Sequence, residues 1–131
     1  MIMTKKIGYA RVSSRGQQRD GNSLEAQEAK LLEAGAEVVV SEAFTGTTMN
    51  RPEFTKVIDS LEPGDTLLVC KLDRFARTAS EGSKLVKELM ARGVRVHILN
   101  MGLIEDSSTG KLILNILLSF AEFERDMIVE R

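Results

Sequence analysis

Short apolar segments alternate with helix-forming segments along this chain, and this alternation constrains the fold more than any other feature. Four apolar segments predict β-strands: Lys6–Val12, Glu37–Ser41, Thr66–Lys71 and Val94–Leu99. Short apolar strands that are separated by helices are typical of a parallel sheet with helices on its faces. The sequence therefore predicts an α/β fold with a mainly parallel sheet of about four to five strands, covered by helices.

Residues that start and stop helices mark the segments between these strands. The predicted helices run from Ser23 to about Ala34 before Gly35, from Pro52 to about Leu61, from Thr78 or Ser80 to about Arg92, and from about Thr109 to the end of the chain. With 131 residues, the chain is long enough to form one domain with its own core.

Charged side chains follow the carboxyl ends of the predicted strands. Ligands bind at this edge of a parallel α/β sheet. The residues expected there are Arg11, Ser13, Arg51, Asp73, Arg74 and Arg77. Several arginines at one edge hold an anion such as a phosphate and stabilise the charge of its transition state.

Ser13 is the candidate nucleophile at this edge. Arg11 and Ser13 are two residues apart on a strand and so project from the same face, where a guanidinium neutralises the phosphate that the hydroxyl approaches. A serine at a strand end is by itself more often a turn residue, and the neighbouring arginines favour catalysis. His97 is the only histidine and is predicted to lie in the fourth strand. This position excludes a Ser-His-Asp triad with Ser13 unless His97 moves far from that strand.

The composition excludes several classes of protein. A formal net charge of −1 argues against a protein that binds nucleic acid by bulk charge alone. One cysteine and one histidine cannot form a Cys/His metal cluster. Cys70 is expected to be a buried, inert thiol in an apolar strand, which fits a reducing, cytoplasmic location. No apolar run is long enough to predict a membrane span, and the N-terminus does not resemble a signal peptide.

The last predicted helix is more apolar than a helix on one sheet needs to be. Nine of the twelve residues from Leu112 to Phe123 are apolar, whereas covering a sheet requires a single apolar stripe. We expect its second face to pack against a partner subunit. No glycine or proline stops the helix in Glu124–Arg131, so we expect it to continue in a longer protein.

Several short motifs, in this order, resemble the catalytic domain of the serine recombinase family of resolvases, invertases and serine integrases. They are Tyr9–Ser14 with Gln17, Ser23–Gln27, Thr45-Gly46 with Arg51, Lys71–Arg74 with Arg77, and Glu124-Arg125 with Glu130-Arg131. The resemblance spans nearly the whole chain, and the ordered set is far more specific than any one motif.

The resemblance implies a role for each matching residue. Ser13 would attack a DNA phosphodiester, form a 5′-phosphoserine linkage and release a 3′-hydroxyl. Arg11, Arg74, Arg77 and Arg51 would bind and activate the scissile phosphate, and Asp73 would shuttle a proton to the leaving oxygen. The implied supporting or DNA-binding positions are Gln17, Gln27, Lys71 and Arg125. The residues alone leave a strand-end ion pair open for Lys71 and a plain surface role open for Gln27.

The resemblance also implies how the whole protein works. Residues 1–131 would be the catalytic domain, with 109–131 the start of a long helix that leads to a C-terminal DNA-binding region outside this sequence. The partners would be the DNA crossover site and further copies of the chain, as a homodimer assembling to a tetramer. No metal, other cofactor, membrane or small-molecule substrate is implied, because the phosphoserine conserves the energy of the broken bond.

Two alternatives remain open. The first is a non-catalytic oligomerisation module that keeps the same fold. The second is a metal-dependent nuclease or phosphatase, which needs clustered carboxylates for Mg²⁺. The carboxyl edge of the predicted sheet has Asp73 and Asp20 but no paired Asp-x-Asp motif, so the hypothesis of a metal-dependent enzyme is the weaker one.

Overall fold

The computed structural model describes residues 4–13, 24–44, 52–76 and 78–130, with the side chains of all of these except residues 13, 43, 44, 73, 125 and 128–130. Strands and helices alternate through most of these residues as the sequence predicts, except that α3 is followed directly by α4 and β4 by β5. Their bounds are β1 Lys6–Ser13, α1 Leu24–Glu33, β2 Val38–Phe44, α2 Pro52–Ser60, β3 Thr66–Val69, α3 Leu72–Phe75, α4 Ala79–Ala91, β4 Arg95–Ile98, β5 Gly102–Ile104 and α5 Ser108–Glu130.

The strands form one sheet in the order β2-β1-β3-β4-β5. The pairs β1–β2, β1–β3 and β3–β4 are parallel, and only the β4–β5 pair is antiparallel among the described strands. The prediction of a mainly parallel α/β sheet is therefore confirmed. The four apolar segments did not predict β5. The third strand was predicted as Thr66–Lys71 and is shorter in the structure, because β3 ends at Val69 and residues 72–75 form α3.

The core lies on both faces of this sheet. On one face, Tyr9, Leu67 and Val96 pack beneath α2, α4 and α5. On the other face, Leu31 of α1 packs over β1. A Cβ atom at Gly8 would meet the Leu31 side chain at 3.1 Å, so the close approach of α1 to β1 depends on a residue without a side chain.

Helix α5 has two apolar faces. Ile113, Leu117 and Ala121 are buried against the domain. A second stripe is 41–60% exposed and consists of Leu112, Ile116, Phe120, Phe123 and Met127, which we call the α5 stripe. The expectation of a second apolar face is confirmed, and the helix begins one residue before the predicted Thr109. Among the described residues, no helix combines the length and the apolar character that crossing a membrane requires.

Candidate active site at the carboxyl edge of the sheet

The structure brings the ends of β1 and β3 to the same edge of the sheet. β1 and β3 are parallel neighbours, and the chain passes to β2 on one side of β1 and to β3 on the other. The crevice at such a reversal of strand order is the usual ligand site in this type of sheet. Ser13 is the last residue of β1, whereas Asp73 and Arg74 lie in α3, four and five residues after the end of β3.

Gln27 fixes the backbone of Arg11 at this edge. Its side chain is buried, its Nε2 donates to the Arg11 carbonyl at 3.0 Å, and its Oε1 accepts from the Arg11 N–H at 3.1 Å. The ladder between β1 and β3 ends at the Gly8–Leu68 pair, so Gln27 supplies a donor and an acceptor beyond the end of that ladder. The hypothesis of a plain surface role for Gln27 is therefore wrong. Gln27 fixes the backbone of Arg11, two residues before Ser13.

Gln27 is also in contact with Cys70, the residue that follows β3. The Cys70 thiol contacts the backbone carbonyl of Gln27 at 3.7 Å, and Cys70 lies directly after the strand rather than inside it. Burial raises the pKa of the Cys70 thiol, and the positive charges of Lys30, Arg74 and Lys71 oppose that rise in part.

Sequence reasoning missed Glu42, a buried carboxylate on β2. The register places Glu42 directly beside Arg11 on the neighbouring strand. Its Oε1 accepts a hydrogen bond from the Tyr9 hydroxyl at 2.5 Å and from the Phe54 N–H at 3.4 Å, and its Oε2 accepts from the Glu53 N–H at 3.0 Å. Glu42 thus holds the first turn of α2, where backbone N–H groups lack partners within the helix.

The family model described as the resolvase N-terminal domain matches residues 6–131. The chain belongs to this family. Two curated relatives from Staphylococcus aureus, named Transposon Tn552 DNA-invertase BinR and Transposon Tn552 resolvase, are each 41% identical over 128 residues. The match covers 96% of this chain but 64% and 62% of those relatives, so the chain spans less than two thirds of their length. Serine recombinase PinR of Escherichia coli (strain K12) is 35% identical over 136 residues, covering 98% of this chain and 67% of the relative.

Solved structures of resolvase-family domains are similar to this fold. The N-terminal catalytic domain of TP901-1 integrase superposes with a TM-score of 0.73 at 30% identity, over 95% of this chain and 98% of that one. A resolvase family site-specific recombinase from Streptococcus pneumoniae gives a TM-score of 0.65 at 30% identity, over 96% of this chain and 91% of that one.

Several predicted site residues of this resolvase-family domain have no described side chain. Arg51, Arg77 and Gln17 lie outside the described residues, as does Asp20. For Ser13, Asp73 and Arg125 the structure describes the backbone alone, in β1, α3 and α5. Arg51 directly precedes Pro52, the first residue of the helix that Glu42 holds. The roles assigned to these residues therefore stay predictions.

Four predicted residues of the domain do have described side chains at this edge. Arg11 and Arg74 are half-buried, and Gln27 lies between the ends of their two strands. Lys71 is exposed and occupies the position before the first residue of α3, with an extended backbone. Arg11 at the end of β1 and Arg74 in α3 thus belong to two elements that contact each other at this edge.

His97 lies elsewhere in the domain. It pairs in register with Leu68 of β3, which pairs with Gly8 of β1. Ser13 is five residues farther along β1, about 16 Å at the rise of a strand. Burial and the charge of Lys6 lower the pKa of His97. His97 is too far along the sheet to act as the base for Ser13.

The part of the chain that the structure describes contains no group of three or more His, Cys, Asp or Glu side chains able to hold a metal ion. That part does not include Asp20 or the side chain of Asp73.

Proposed function

We propose that this chain is the catalytic domain of a site-specific DNA recombinase that uses Ser13 as its nucleophile. The observation that carries the proposal is the meeting of two elements at one crevice: the end of β1, with Arg11 fixed by Gln27, and α3 after β3, with Arg74. Membership of the resolvase N-terminal domain family supports it. The names of the relatives, which include a resolvase, an invertase and a serine recombinase, agree with this chemistry.

The proposed reaction is a transfer of one phosphodiester bond. Ser13 Oγ releases its proton to water and forms a bond to phosphorus, and the bond from phosphorus to the 3′-oxygen breaks. Asp73 is the proposed donor of the proton that the 3′-oxygen takes up, which gives a 3′-hydroxyl and a 5′-phosphoserine. Religation runs the same step in reverse after the strands have been exchanged, so no metal or external energy source is required.

The cationic groups have the task of stabilising the pentavalent transition state. Arg11 and Arg74, together with the predicted Arg51 and Arg77, would neutralise the non-bridging oxygens of the phosphate. Lys71, Gln17 and Arg125 are proposed as further contacts to the DNA or to the site. A cluster of this kind works despite the net charge of −1, because the field is local to the crevice.

We propose further that copies of the chain pair through the α5 stripe and that dimers assemble to tetramers on two DNA sites. Five large apolar side chains exposed along one helix exceed the scattered apolar residues of an ordinary surface. Residues 109–131 would then be the start of a helix that continues towards a DNA-binding region. The same stripe also favours the alternative of a non-catalytic assembly module.

A suicide substrate separates these possibilities. The intact native protein is incubated in EDTA with DNA that carries its recombination site and a nick next to the scissile phosphate, and the covalent protein–DNA adduct is mapped by mass spectrometry. We expect an adduct on Ser13 that is lost in Ser13→Ala and retained in Ser14→Ala, the matched neighbouring hydroxyl. Absence of an adduct despite DNA binding would favour the assembly module, and cleavage that requires Mg²⁺ would favour the metal-dependent nuclease.

A further inference from the structure

Glu124 of α5 is bonded to the start of α4, 45 residues away. The Ala79 N–H donates to both carboxylate oxygens of Glu124, at 3.1 and 3.2 Å. Negative charge at this end of a helix is favourable, because the first N–H groups are unpaired and carry the positive end of the helix dipole. The bond therefore joins two helices that are otherwise packed through apolar side chains.

Capping alone does not account for this bond. Helix α4 already has a local N-cap, since the Thr78 side chain accepts a hydrogen bond from the Glu81 N–H at 3.0 Å. Thr78 is the preferred type of residue at that position and satisfies its donor without reaching another element. Glu124 satisfies a different donor and does so from α5.

The start of α4 is packed directly onto α3. A Cβ atom at Gly82 would lie 3.3 Å from Leu72 and 3.4 Å from Ala76, so no side chain separates α4 from the segment before it. Phe75 and Ala76 are fully buried, and the Phe75 ring lies 6.1 Å from that of Phe54. Residues 72–76 and the first turn of α4 thus form one packed corner, and Arg74 is part of it.

Glu124 also lies next to the α5 stripe. It follows Phe123 directly and is four residues, or about one helical turn, after Phe120. Any partner that packs on the stripe and shifts this part of α5 therefore shifts the carboxylate as well. The bond to Ala79 passes that shift to the corner that carries Arg74.

We infer that Glu124 is a positioning residue that couples the placement of α5 to the placement of Arg74 and the residues beside it. This inference rests on the proposed function, in which that segment binds the scissile phosphate. In this scheme the α5 stripe and the active site are linked by one charge-assisted pair of hydrogen bonds.

The test compares Glu124→Ala and Glu124→Gln with Thr78→Ala, which removes a cap of the same helix but leaves the tie to α5 in place. In the intact native protein, the single-turnover rate of adduct formation is measured at saturating DNA, next to DNA affinity and thermal stability. We expect Glu124→Ala to lower the rate by about 10- to 100-fold, the size that a misplaced catalytic group produces, with little change in DNA affinity. Glu124→Gln keeps one acceptor and should recover part of the rate.

The cap variant and the neighbouring Glu122→Ala provide the controls. Thr78→Ala should lower thermal stability as much as Glu124→Ala does, because it removes a helix cap. It should leave the rate of adduct formation within about threefold of that of the native protein, because it does not move the residues of the active site. Glu122 is exposed on the same helix and should be neutral. Equal slowing by Thr78→Ala and Glu124→Ala at equal stability would overturn the inference and leave Glu124 as a simple cap.

Hydrogen exchange keeps the inference separate from the proposed function. Without DNA, peptides covering residues 72–82 should exchange faster in Glu124→Ala than in Thr78→Ala, and this comparison holds whether or not the protein forms an adduct. A native protein that forms no adduct counts against the proposed function alone. A native protein that forms the adduct at a rate that Glu124→Ala leaves unchanged, with no difference in exchange, counts against the coupling alone.

Discussion

The side-chain amide of Gln27 is hydrogen-bonded to both backbone groups of Arg11, so a residue of α1 determines the course of the strand that ends at Ser13. This pair of bonds lies beyond the last pairing of β1 with β3. A side chain therefore takes the place of the missing strand at the point where the proposed nucleophile leaves the sheet.

Replacing Gln27 with glutamate tests this relationship with almost no change in shape. A carboxylate cannot donate to the Arg11 carbonyl and places an unpaired charge in a buried position, so we expect a loss of about 1–3 kcal/mol in the free energy of unfolding. Urea unfolding at pH 7 measures it. Glu33→Gln is the control, since it exchanges a carboxylate and an amide at an exposed site of the same helix. It should change the free energy of unfolding by less than about 0.5 kcal/mol. Equal effects at both sites would contradict the buried role.

The bond between Tyr9 and Glu42 should couple these residues energetically. Both are buried, and hydrogen bonds to a charged group contribute about 1.5–3 kcal/mol. A double-mutant cycle with Tyr9→Phe and Glu42→Ala, measured by urea unfolding, should give a coupling energy of about 1 kcal/mol or more. Pairing Tyr9→Phe with the exposed Glu62→Ala provides the control, for which we expect additivity. Additivity for Tyr9 and Glu42 would mean that their bond contributes nothing.

Stability should fall below neutral pH because of His97. Its pKa is lowered from the ordinary value of 6.5 by burial and by Lys6, so the unfolded chain binds a proton on this residue more readily than the folded one. This contribution is fully present above pH 6.5 and is lost as the pH falls through the lower pKa of the folded state. Urea unfolding of the native chain and of His97→Gln between pH 5 and pH 8 should show the native chain losing more stability on the acid side.

Lys6→Gln refines that experiment. Removing the neighbouring charge should raise the pKa of His97 towards its ordinary value, which NMR titration of the single histidine measures directly. An unchanged titration midpoint in Lys6→Gln would show that burial alone lowers the pKa of His97.

Self-association should depend on the α5 stripe. Ile116→Glu places a charge among exposed apolar side chains, and we expect it to weaken association by about tenfold or more, which corresponds to a loss of about 1.4 kcal/mol. Asn115→Glu adds the same charge at an exposed neighbouring position outside the stripe and should have little effect. Sedimentation equilibrium over a range of concentrations measures both. A native chain that stays monomeric at the highest concentration would contradict the proposed pairing.

The elements with long apolar signals were predictable from the sequence. β1 was predicted as Lys6–Val12 and found as Lys6–Ser13, and β4 differs from its prediction by one residue at each end. β5 and α3 have three and four residues, which is too short to show a period of two or of 3.6. The direction and pairing of such short elements depend on the sheet that surrounds them.

The polar contacts of the site were less predictable, because their partners are far apart in the sequence. Gln27 and Arg11 are 16 residues apart, and Tyr9 and Glu42 are 33 apart. One signal for Gln27 was present: it lies three residues after Leu24 and four before Leu31, on the apolar face of its helix. A polar side chain at such a position is expected to be buried with a partner, but the sequence does not say which one.

The antiparallel direction of β5 has a consequence for the whole domain. β5 carries the chain back from the carboxyl edge of the sheet to its amino edge, and the Ile104–Val96 pair marks where this return ends. Helix α5 therefore runs antiparallel to α4, and its later turns lie beside the start of α4. A strand of three residues thus decides the side of the molecule from which the longest helix emerges. It brings the later turns of that helix to the start of α4, at the same edge of the sheet as the proposed site.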